Sequence, residues 1–314
     1  MLMTCVGTIG RASVWLNERP VVFFRSVAII RPKPFLLPEF LEYVIRSPDF
    51  QAELRRRTKK ASQGGVYLKD IKGMPIAVPS VGEQERLVKL LDEADALRKL
   101  RAEADRREEA FIPALFEEMF GDPATNPKRW PKKPVGEVCV LVNGTAFKPV
   151  DWDGAGLPIV RIQNLNDASK PFNYTSKVLS EKFRVRPGDI LLSWSGTPGT
   201  SFGCFRWNGP EGWLNQHIFN VYLRSGVDGE FFIQSVNARL GELIALAHGG
   251  VGLQHVTKGT LNSVELLIPP LTLQREFAGC VESTRALREE QATSGSRLDG
   301  LFQSMLHRAF TGEL

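Results

Sequence analysis

The sequence predicts an α+β protein made of two copies of one unit. Each copy is a mixed, β-rich domain with short helices, followed by one long helix. Two observations predict this architecture. Short segments recur along the chain at a nearly constant offset. Each copy also passes from short apolar runs broken by turns into a long stretch with helical periodicity.

The repeat is visible in four pairs of matched segments. They are Leu2–Gly10 with Leu191–Gly199, Ile76–Gln84 with Leu267–Gln274, Ala96–Arg98 with Ala286–Arg288, and Leu115–Met119 with Leu301–Met305. The second copy begins near Trp130, well ahead of its Leu191 segment, whereas the first copy reaches the matching segment at Leu2. We therefore expect the first copy to lack its opening third to half, through a truncated gene or a start assigned too late.

The first part of each copy carries the signals of short strands and tight turns. Apolar runs occur at Ser26–Ile30 and Asp189–Ser193, and the second copy is punctuated by Gly144, Gly154, Gly156, Gly196, Gly199 and Gly203. Glycine-rich punctuation of this kind is typical of β-rich domains. A shorter helical stretch is predicted inside each copy, around Pro38–Lys60 and Gly229–Ala247.

The second part of each copy is a predicted long helix with an apolar seam. The seam residues are Leu87, Leu91, Ala94, Leu97, Ala104, Phe111 and Leu115 in one helix, and Phe277, Val281, Leu287, Leu298, Leu301 and Met305 in the other. Pro113 should kink the first helix, and a local break or bend is expected at Gln291–Gly295 in the second. The repeat favours two helices that pair as an antiparallel coiled coil. The alternative is two amphipathic helices that each pack on their own domain.

The composition is that of a globular protein in a reducing compartment. Hydrophobic residues make up 43% of the 314, and no run approaches the ~18 apolar residues that a membrane helix needs. The four cysteines are widely spaced, which argues against a disulfide scaffold and favours the cytoplasm. Lys plus Arg number 40 against 35 Asp plus Glu, a net charge of +5 that permits a polyanionic partner without requiring one.

A series of short motifs follows in a fixed order from the end of the first helix. They are Gly121–Pro123, Asn126–Trp130, Val135–Val138, Asn143–Thr145, Gly156–Arg161, Pro187–Leu191, Asn215–His217, Ile268–Leu271 with Gln274, and Ala309–Leu314. In order, spacing and duplication, this arrangement resembles the DNA specificity subunit of a type I restriction-modification system. The resemblance covers the entire chain.

The resemblance implies two target-recognition domains held apart by the antiparallel coiled coil of the two long helices. Residues 1–79 would be a truncated first domain, 80–121 the central helix, 122–270 the complete second domain and 271–314 the C-terminal helix. The missing front of the first domain departs from the family pattern. The resemblance implies a sequence-specific DNA-binding subunit that directs methylation and restriction to a bipartite target.

The residues themselves predict no catalytic centre, no cofactor and no metal site. An adenine methyltransferase needs an Asn/Asp-Pro-Pro-aromatic loop, but Pro269-Pro270 is preceded by Ile268 and followed by Leu271. Gly196–Gly199 lacks the Gly-Lys-Ser/Thr of a phosphate loop. The four histidines, His217, His248, His255 and His307, have no metal-ligand spacing.

Candidate contacts to double-stranded DNA lie on the loops of the second domain. DNA readers need cations for phosphates and amide or forked side chains for base edges. The candidates are Lys148, Arg161, Gln163, Asn164, Ser195, Thr197, Arg206, Asn215, Gln216, His217, Gln254, His255 and Lys258. Each one also fits an ordinary solvated residue, and Arg161 also fits a role in holding the fold.

A basic run at the end of the helical stretch of the first copy has two interpretations. Its residues are Arg55, Arg56, Arg57, Lys59 and Lys60. They predict either a phosphate clamp, which supplies affinity without sequence choice, or a solvated helix face. The five tryptophans between Trp130 and Trp213 are predicted to pack in the core rather than to stack on bases.

The resemblance also implies protein partners. In the family, the long helices bind the modification (methyltransferase) subunits and, through them, the restriction subunit. Candidate contacts are Gln84, Gln274, Leu301, Met305 and Phe310. A homodimer or a complementing fragment could supply a second half-site. Two rival functions stay open: a remnant that serves only as a scaffold for modification subunits, and a chain that is itself a DNA methyltransferase.

Overall fold

The computed structural model describes residues 1–16, 22, 24–58, 65–167, 169–197, 200–245, 248–250 and 253–313, without the side chains of 109, 248–250, 253 and 254. The chain divides into two compact units. Unit 1 comprises Met1–Arg107 with Leu287–Leu314, and unit 2 comprises Glu108–Ala286. Each unit therefore holds one domain and a part of each long helix.

The described part of unit 1 contains one small antiparallel sheet and three short helices. Its elements are β1 (Leu2–Thr4), β2 (Ala12–Ser13), β3 (Val27–Ile29), α1 (Pro38–Arg46), α2 (Pro48–Arg57) and α3 (Leu68–Lys72). The strand order is β2-β1-β3. The predicted helical stretch is divided at Ser47 because Pro48 disfavours a helical residue before it, and the Ser47 hydroxyl then caps α2 at the Phe50 amide.

Unit 2 is richer in strands and contains several sheets. Its strands are β4 (Lys132–Pro134), β5 (Cys139–Asn143), β6 (Leu157–Val160), β7 (Asn173–Thr175), β8 (Arg184–Val185), β9 (Ile190–Ser193), β10 (Ser195–Gly196), β11 (Gly203–Arg206), β12 (Gly212–Leu214), β13 (Ile218–Leu223), β14 (His248–Gly250), β15 (Leu253–His255) and β16 (Glu265–Leu267). The described sheets have the orders β11-β9-β13-β5, β7-β6-β12-β8, β10-β15-β14 and β16-β4. The α+β prediction is confirmed.

Short helices surround these sheets, and two long helices leave the domains. The short helices are α5 (Val135–Val138), α6 (Ile162–Asn166), α7 (Gly229–Ala238), α8 (Leu240–Ala245) and α9 (Lys258–Ser263). The long helices are α4 (Val81–Phe120) and α10 (Leu271–Thr311). Both are continuous, so no break occurs at Gln291–Gly295, while a bend there stays a prediction, and α4 passes through Pro113. In the part of the chain that the structure describes, no helix is long and apolar enough to cross a membrane.

The sequence repeat is also a structural repeat. In unit 1, Met3 on β1 pairs with Ala12 on one side and with Ala28 on the other. In unit 2, Leu192 on β9 pairs in the same way with Cys204 and with Phe219. The sheet β2-β1-β3 thus corresponds to β11-β9-β13, and β5 adds a fourth strand in unit 2.

In each unit, one buried glutamine joins the domain to its long helix. The Gln84 Oε1 accepts a hydrogen bond from the Leu37 amide, and its Nε2 donates to the carbonyl oxygens of Phe35 and Pro79. Gln274 repeats this pattern with the Asp228 amide and the carbonyl oxygens of Gly226 and Pro269. Both side chains are 0% exposed. They are therefore occupied inside the protein, which corrects the prediction that they contact a partner.

The two long helices contact each other within each unit. In unit 1, Leu91 packs in one cluster with Phe302 and Leu306, and Arg98 Nε donates to Asp299 Oδ1 at 2.6 Å. Arg101 reaches Gln291 further along. The residue numbers of the contacts on α10 decrease as those on α4 increase, so the two helices are antiparallel at this contact. A continuous coiled coil remains a prediction.

The buried stripe of each helix matches the predicted seam only in part. The seam residues Leu87, Leu91, Phe277 and Val281 are buried as predicted. Leu97, Phe111, Leu287 and Leu301 are each at least half exposed, whereas Ile112, Phe116, Phe120, Phe302 and Leu306 are buried.

An ion pair of reversed polarity joins each short helix to its long helix. In unit 1, Asp95 on α4 pairs with Arg46 on α1 at 3.0 Å, and with Arg98 and Lys99. Arg285 on α10 is the equivalent position in unit 2, because each of the two residues directly precedes a matched Ala-Leu-Arg segment of the repeat. Arg285 pairs with Glu230 on α7 at 2.7 Å. The same helix position thus carries opposite charges in the two units.

Candidate nucleic-acid interface

Three loops of unit 2 converge because one glycine allows the backbones to approach closely. A Cβ atom on Gly144 would lie 2.2 Å from the carbonyl oxygen of Asn215. Thr145 forms a bridge with Asn215, and the Asn215 amide donates to the Val160 oxygen at 3.0 Å. The segments that follow β5 and β6 therefore meet the segment that precedes β13.

Trp194 lies at the centre of an aromatic cluster at this junction. Its ring stacks on Phe219, with centroids 5.6 Å apart and an angle of 28°. The rings of His217 and His255 lie at 5.6 and 6.5 Å. The indole N–H donates to Asn143 Oδ1 at 3.3 Å. The cluster, defined here as Asn143, Trp194, His217, Phe219 and His255, combines π-faces with a polar edge.

Gln216 and Arg161 give this cluster its polar and charged character. Gln216 Nε2 lies 3.0 Å from His217 Nε2. Burial lowers the pKa of His217, and the positive charge of Arg161 lowers that pKa further. The imidazole is therefore neutral near pH 7, with one donor and one acceptor nitrogen. Arg161 itself lies over the Trp152 ring at 5.7 Å.

Unit 1 has no such cluster at the equivalent positions. The Trp194 amide donates to the His217 oxygen, and the Val256 amide donates to the Trp194 oxygen. In unit 1 the same two bonds link Cys5 to Ser26 and Val66 to Cys5. Val6 is the position in unit 1 that matches Ser195. Ser195 pairs with His255, whereas Val6 bridges to Gly65, so Gly65 takes the place of His255. Small side chains thus replace the tryptophan and both histidines.

Known proteins share both sequence and fold with this chain. A family described as "Type I restriction modification DNA specificity domain" matches residues 127–285, half of the chain.

The chain belongs to the type I restriction-modification DNA specificity family.

One curated relative in the specificity family is the type I restriction enzyme EcoBI specificity subunit of Escherichia coli. It is 32% identical over 104 residues, which are 32% of this chain and 22% of the relative. The match therefore spans about a fifth of that protein's length.

Two solved structures share the fold. The type I restriction-modification S subunit from M. genitalium has a TM-score of 0.57 at 13% identity, covering 98% of this chain and 82% of that one. The second is a chain from a structure of the type I restriction-modification system that addresses complex assembly and conformational transition. Its TM-score is 0.64 at 23% identity, and the match covers 92% of the present chain and 75% of the neighbour.

The structure brings several of the predicted DNA contacts of this specificity-family chain together. His217 and His255 are members of the Trp194 cluster, and Gln216 lies beside it. Asn215 bridges to Thr145 next to the cluster, and the charge of Arg161 acts on His217. Ser195 is next to Trp194 but is buried. Lys148, Gln163 and Thr197 are exposed on unit 2.

Other predicted DNA contacts are occupied inside unit 2. The Asn164 side chain is 3% exposed and bonds the Arg161 amide and the Lys170 oxygen. Arg206 pairs with Glu230 and donates to the Gly188 oxygen. The Lys258 ammonium donates to the Leu141 oxygen at 2.7 Å. The two Asn164 bonds hold its loop inside the domain, which corrects the prediction that Asn164 faces DNA. The side chains of Arg206 and Lys258 remain partly exposed, and their contact with DNA stays a prediction.

The basic run and the predicted partner contacts differ from residue to residue. Arg57 pairs with Glu53 and bonds the Asp70 oxygen, whereas Arg55 and Arg56 face solvent. Lys59 and Lys60 lie outside the described residues, as does the side chain of Gln254. Leu301 is 56% exposed. Met305 and Phe310 are half-buried, and the Phe310 ring packs edge-on against Phe40.

Sequence reasoning missed Asn143 and Trp194 as members of the site. The tryptophans were predicted to lie in the core, and Trp207 and Trp213 do. Trp194 differs because it follows the end of β9, in the Ser193–Gly196 segment that the repeat marks. Its partners Asn143 and His255 lie on distant segments of the chain, so only the folded chain brings them together. Among the described residues, no group of three His, Cys, Asp or Glu side chains is placed to hold a metal.

Proposed function

We propose that this chain is the DNA-reading, non-catalytic subunit of a type I restriction-modification complex. The Trp194 cluster of unit 2, with Gln216 and Arg161 beside it, would contact the bases. The long helices would carry the modification subunits and, through them, the restriction subunit. The double-stranded target would be bipartite if both domains read DNA.

The observation that carries this proposal is the convergence of the loops around Trp194. Amide side chains read base edges by paired hydrogen bonds, and neutral histidine can donate and accept at once. Gln216 supplies such an amide and His217 such an imidazole beside one aromatic surface. Arg161 and the exposed Lys148 add positive charge for phosphates. Family membership supports the same reading of the site.

The proposal is tested by selecting preferred duplexes from a random DNA library and measuring their binding by fluorescence anisotropy. Replacing Gln216 with Ala should weaken the preferred duplex by about 1–3 kcal/mol and relax the choice at one base pair. Replacing Lys148 with Ala should instead weaken all duplexes alike and reduce the salt slope by about 1. Gln303→Ala, an exposed glutamine in unit 1, is the matched control.

The two rival functions predict different results for the same purified protein. A scaffold that binds modification subunits without reading DNA would select no preferred duplex, alone or in complex. A methyltransferase would transfer label from S-adenosylmethionine to DNA without any added subunit. Either result would contradict the proposed function.

A further inference from the structure

Unit 1 carries an open apolar groove beside the edge of its sheet. The groove has a volume of about 420 Å³ and is lined by side chains that include Ala28, Leu41, Ile45, Ile71 and Met74. They come from β3, α1, α3 and the segment after α3. Arg31 and Lys72 also line it. An apolar groove along a strand edge is unusual on a solvent-exposed surface, because unpaired edges invite another strand.

Unit 2 shows what covers the same surface in the other copy. There, β5 pairs with β13 from Phe219↔Asn143 to Leu223↔Cys139, and β4 pairs with β16. The side chains of Val135, Val138 and Leu141 are buried in the main core of unit 2. In the strand–helix–strand segment Lys132–Asn143, β5 thus extends the sheet beside β13 and β4 pairs with β16, and the described part of residues 1–79 contains no counterpart of this segment.

The backbone of β3 is suitable for the same pairing. Met1 and Ile30 exchange both of their backbone hydrogen bonds at 3.0 Å. In an antiparallel pair such residues alternate, so Ile29 and Arg31 direct their N–H and C=O groups to the opposite edge. By register, Ile29 corresponds to Asn220, which pairs with Val142 of β5. Ile29 is 45% exposed, whereas Asn220 is 1% exposed.

A second surface of unit 1 is also exposed where the corresponding surface of unit 2 is covered. Trp15 corresponds to Trp207, two residues beyond the matched pair Ser13 and Phe205. Trp15 is 44% exposed, but Trp207 is 5% exposed in the cluster that also contains Val160 and Val185. Those two residues belong to the sheet β7-β6-β12-β8. Side chains that unit 2 buries under this sheet therefore face solvent in unit 1.

We propose that the open face of unit 1 is a docking surface for a strand–helix–strand segment of the Lys132–Asn143 type. The first strand pairs beside the segment Pro75–Ala77, and the second extends the sheet at Ile29 and Arg31. Apolar side chains between them fill the groove over Ala28 and Met74. The sheet β2-β1-β3 then has four strands, as in unit 2.

The test supplies such a segment to the full chain at high effective concentration. Residues 130–143 are joined ahead of Met1 through a flexible Gly/Ser linker of about a dozen residues, which raises the local concentration to the millimolar range. Hydrogen exchange is followed across β3. We expect the amides of Ile29 and Arg31 to exchange at least about tenfold more slowly, with unit 2 unchanged.

The matched control changes the added segment and leaves the host chain intact. V138D and L141D in the added copy should abolish the protection, because charges cannot fill an apolar groove. Equal exchange with the intact and the altered segment would overturn the proposal. Protection of the same amides in the unextended chain as its concentration rises, together with dimer formation, would show instead that a second copy covers this face.

Discussion

Gln84 and Gln274 show how one side chain can fix the junction between a domain and a helix. Each amide satisfies three backbone groups that would otherwise be buried without partners. The sequence located both residues through the repeat, but residue spacing carries no information on whether a polar side chain faces inward. The same limit explains Asn164, which looks like a surface residue and is held inside.

Replacing either glutamine with leucine should therefore destabilise its unit. Three backbone groups lose their partner, and each unsatisfied buried group costs about 1–3 kcal/mol. Because the loops can relax, we expect the free energy of unfolding to fall by about 2–4 kcal/mol in urea denaturation. Gln303→Leu, at an exposed position of α10, should change it by less than about 0.5 kcal/mol. Equal effects at Gln84 and Gln303 would contradict the anchoring role.

At the scale of elements, the existence of the long helices was predictable, but the buried face of each helix was predicted only in part. Apolar residues occur at both heptad and 3.6-residue spacing, so the sequence allowed two stripes on each helix. The larger side chains of Phe116, Phe120 and Phe302 decide between them because they bury the most area. Leu97, Leu287 and Leu301 are consequently left facing solvent.

The ion pairs between short and long helices predict a pH dependence of stability. Burial alone would raise the pKa of Glu230, but its ion pairs with Arg285 and Arg206 outweigh this and hold the pKa below its usual value. A carboxylate with a lowered folded pKa stabilises above its unfolded pKa, near 4.5, and loses that contribution as pH falls through the folded pKa. The Tm difference between the native chain and Glu230→Gln should be largest at pH 7 and shrink below about pH 4.5. A difference independent of pH would exclude this pairing as its source.

At the scale of the whole molecule, a substitution at the exposed Leu301 tests whether this surface binds a partner subunit. A Leu301→Asp change should leave the fold intact, because the side chain is already 56% exposed. It should abolish co-purification with the modification subunit, since a contact centre excludes an unpaired charge. Gln303→Asp adds the same charge two residues away and should co-purify normally. Normal binding by the Leu301 variant would move the interface elsewhere.

The unequal units predict an unequal reading of DNA. Only unit 2 carries the tryptophan and the two histidines, while unit 1 has Cys5, Ser26 and Gly65 at those places. We expect methylome sequencing of cells that express this chain with a modification subunit to show one specified half-site, with correspondingly low affinity. A modified bipartite motif with a second, unrelated half-site would show that unit 1 reads DNA by other residues.

The reversed charges of Asp95 and Arg285 bear on how genes of this kind can exchange parts. A recombination that moved the domain of unit 2 onto the first long helix would set Glu230 against Asp95. The reciprocal product would set Arg46 against Arg285. Crossovers between corresponding halves of two such genes keep each pair intact, whereas crossovers between opposite halves create repulsion. A hybrid of the second kind would need a compensating codon change at the helix before it folded as well as its parents.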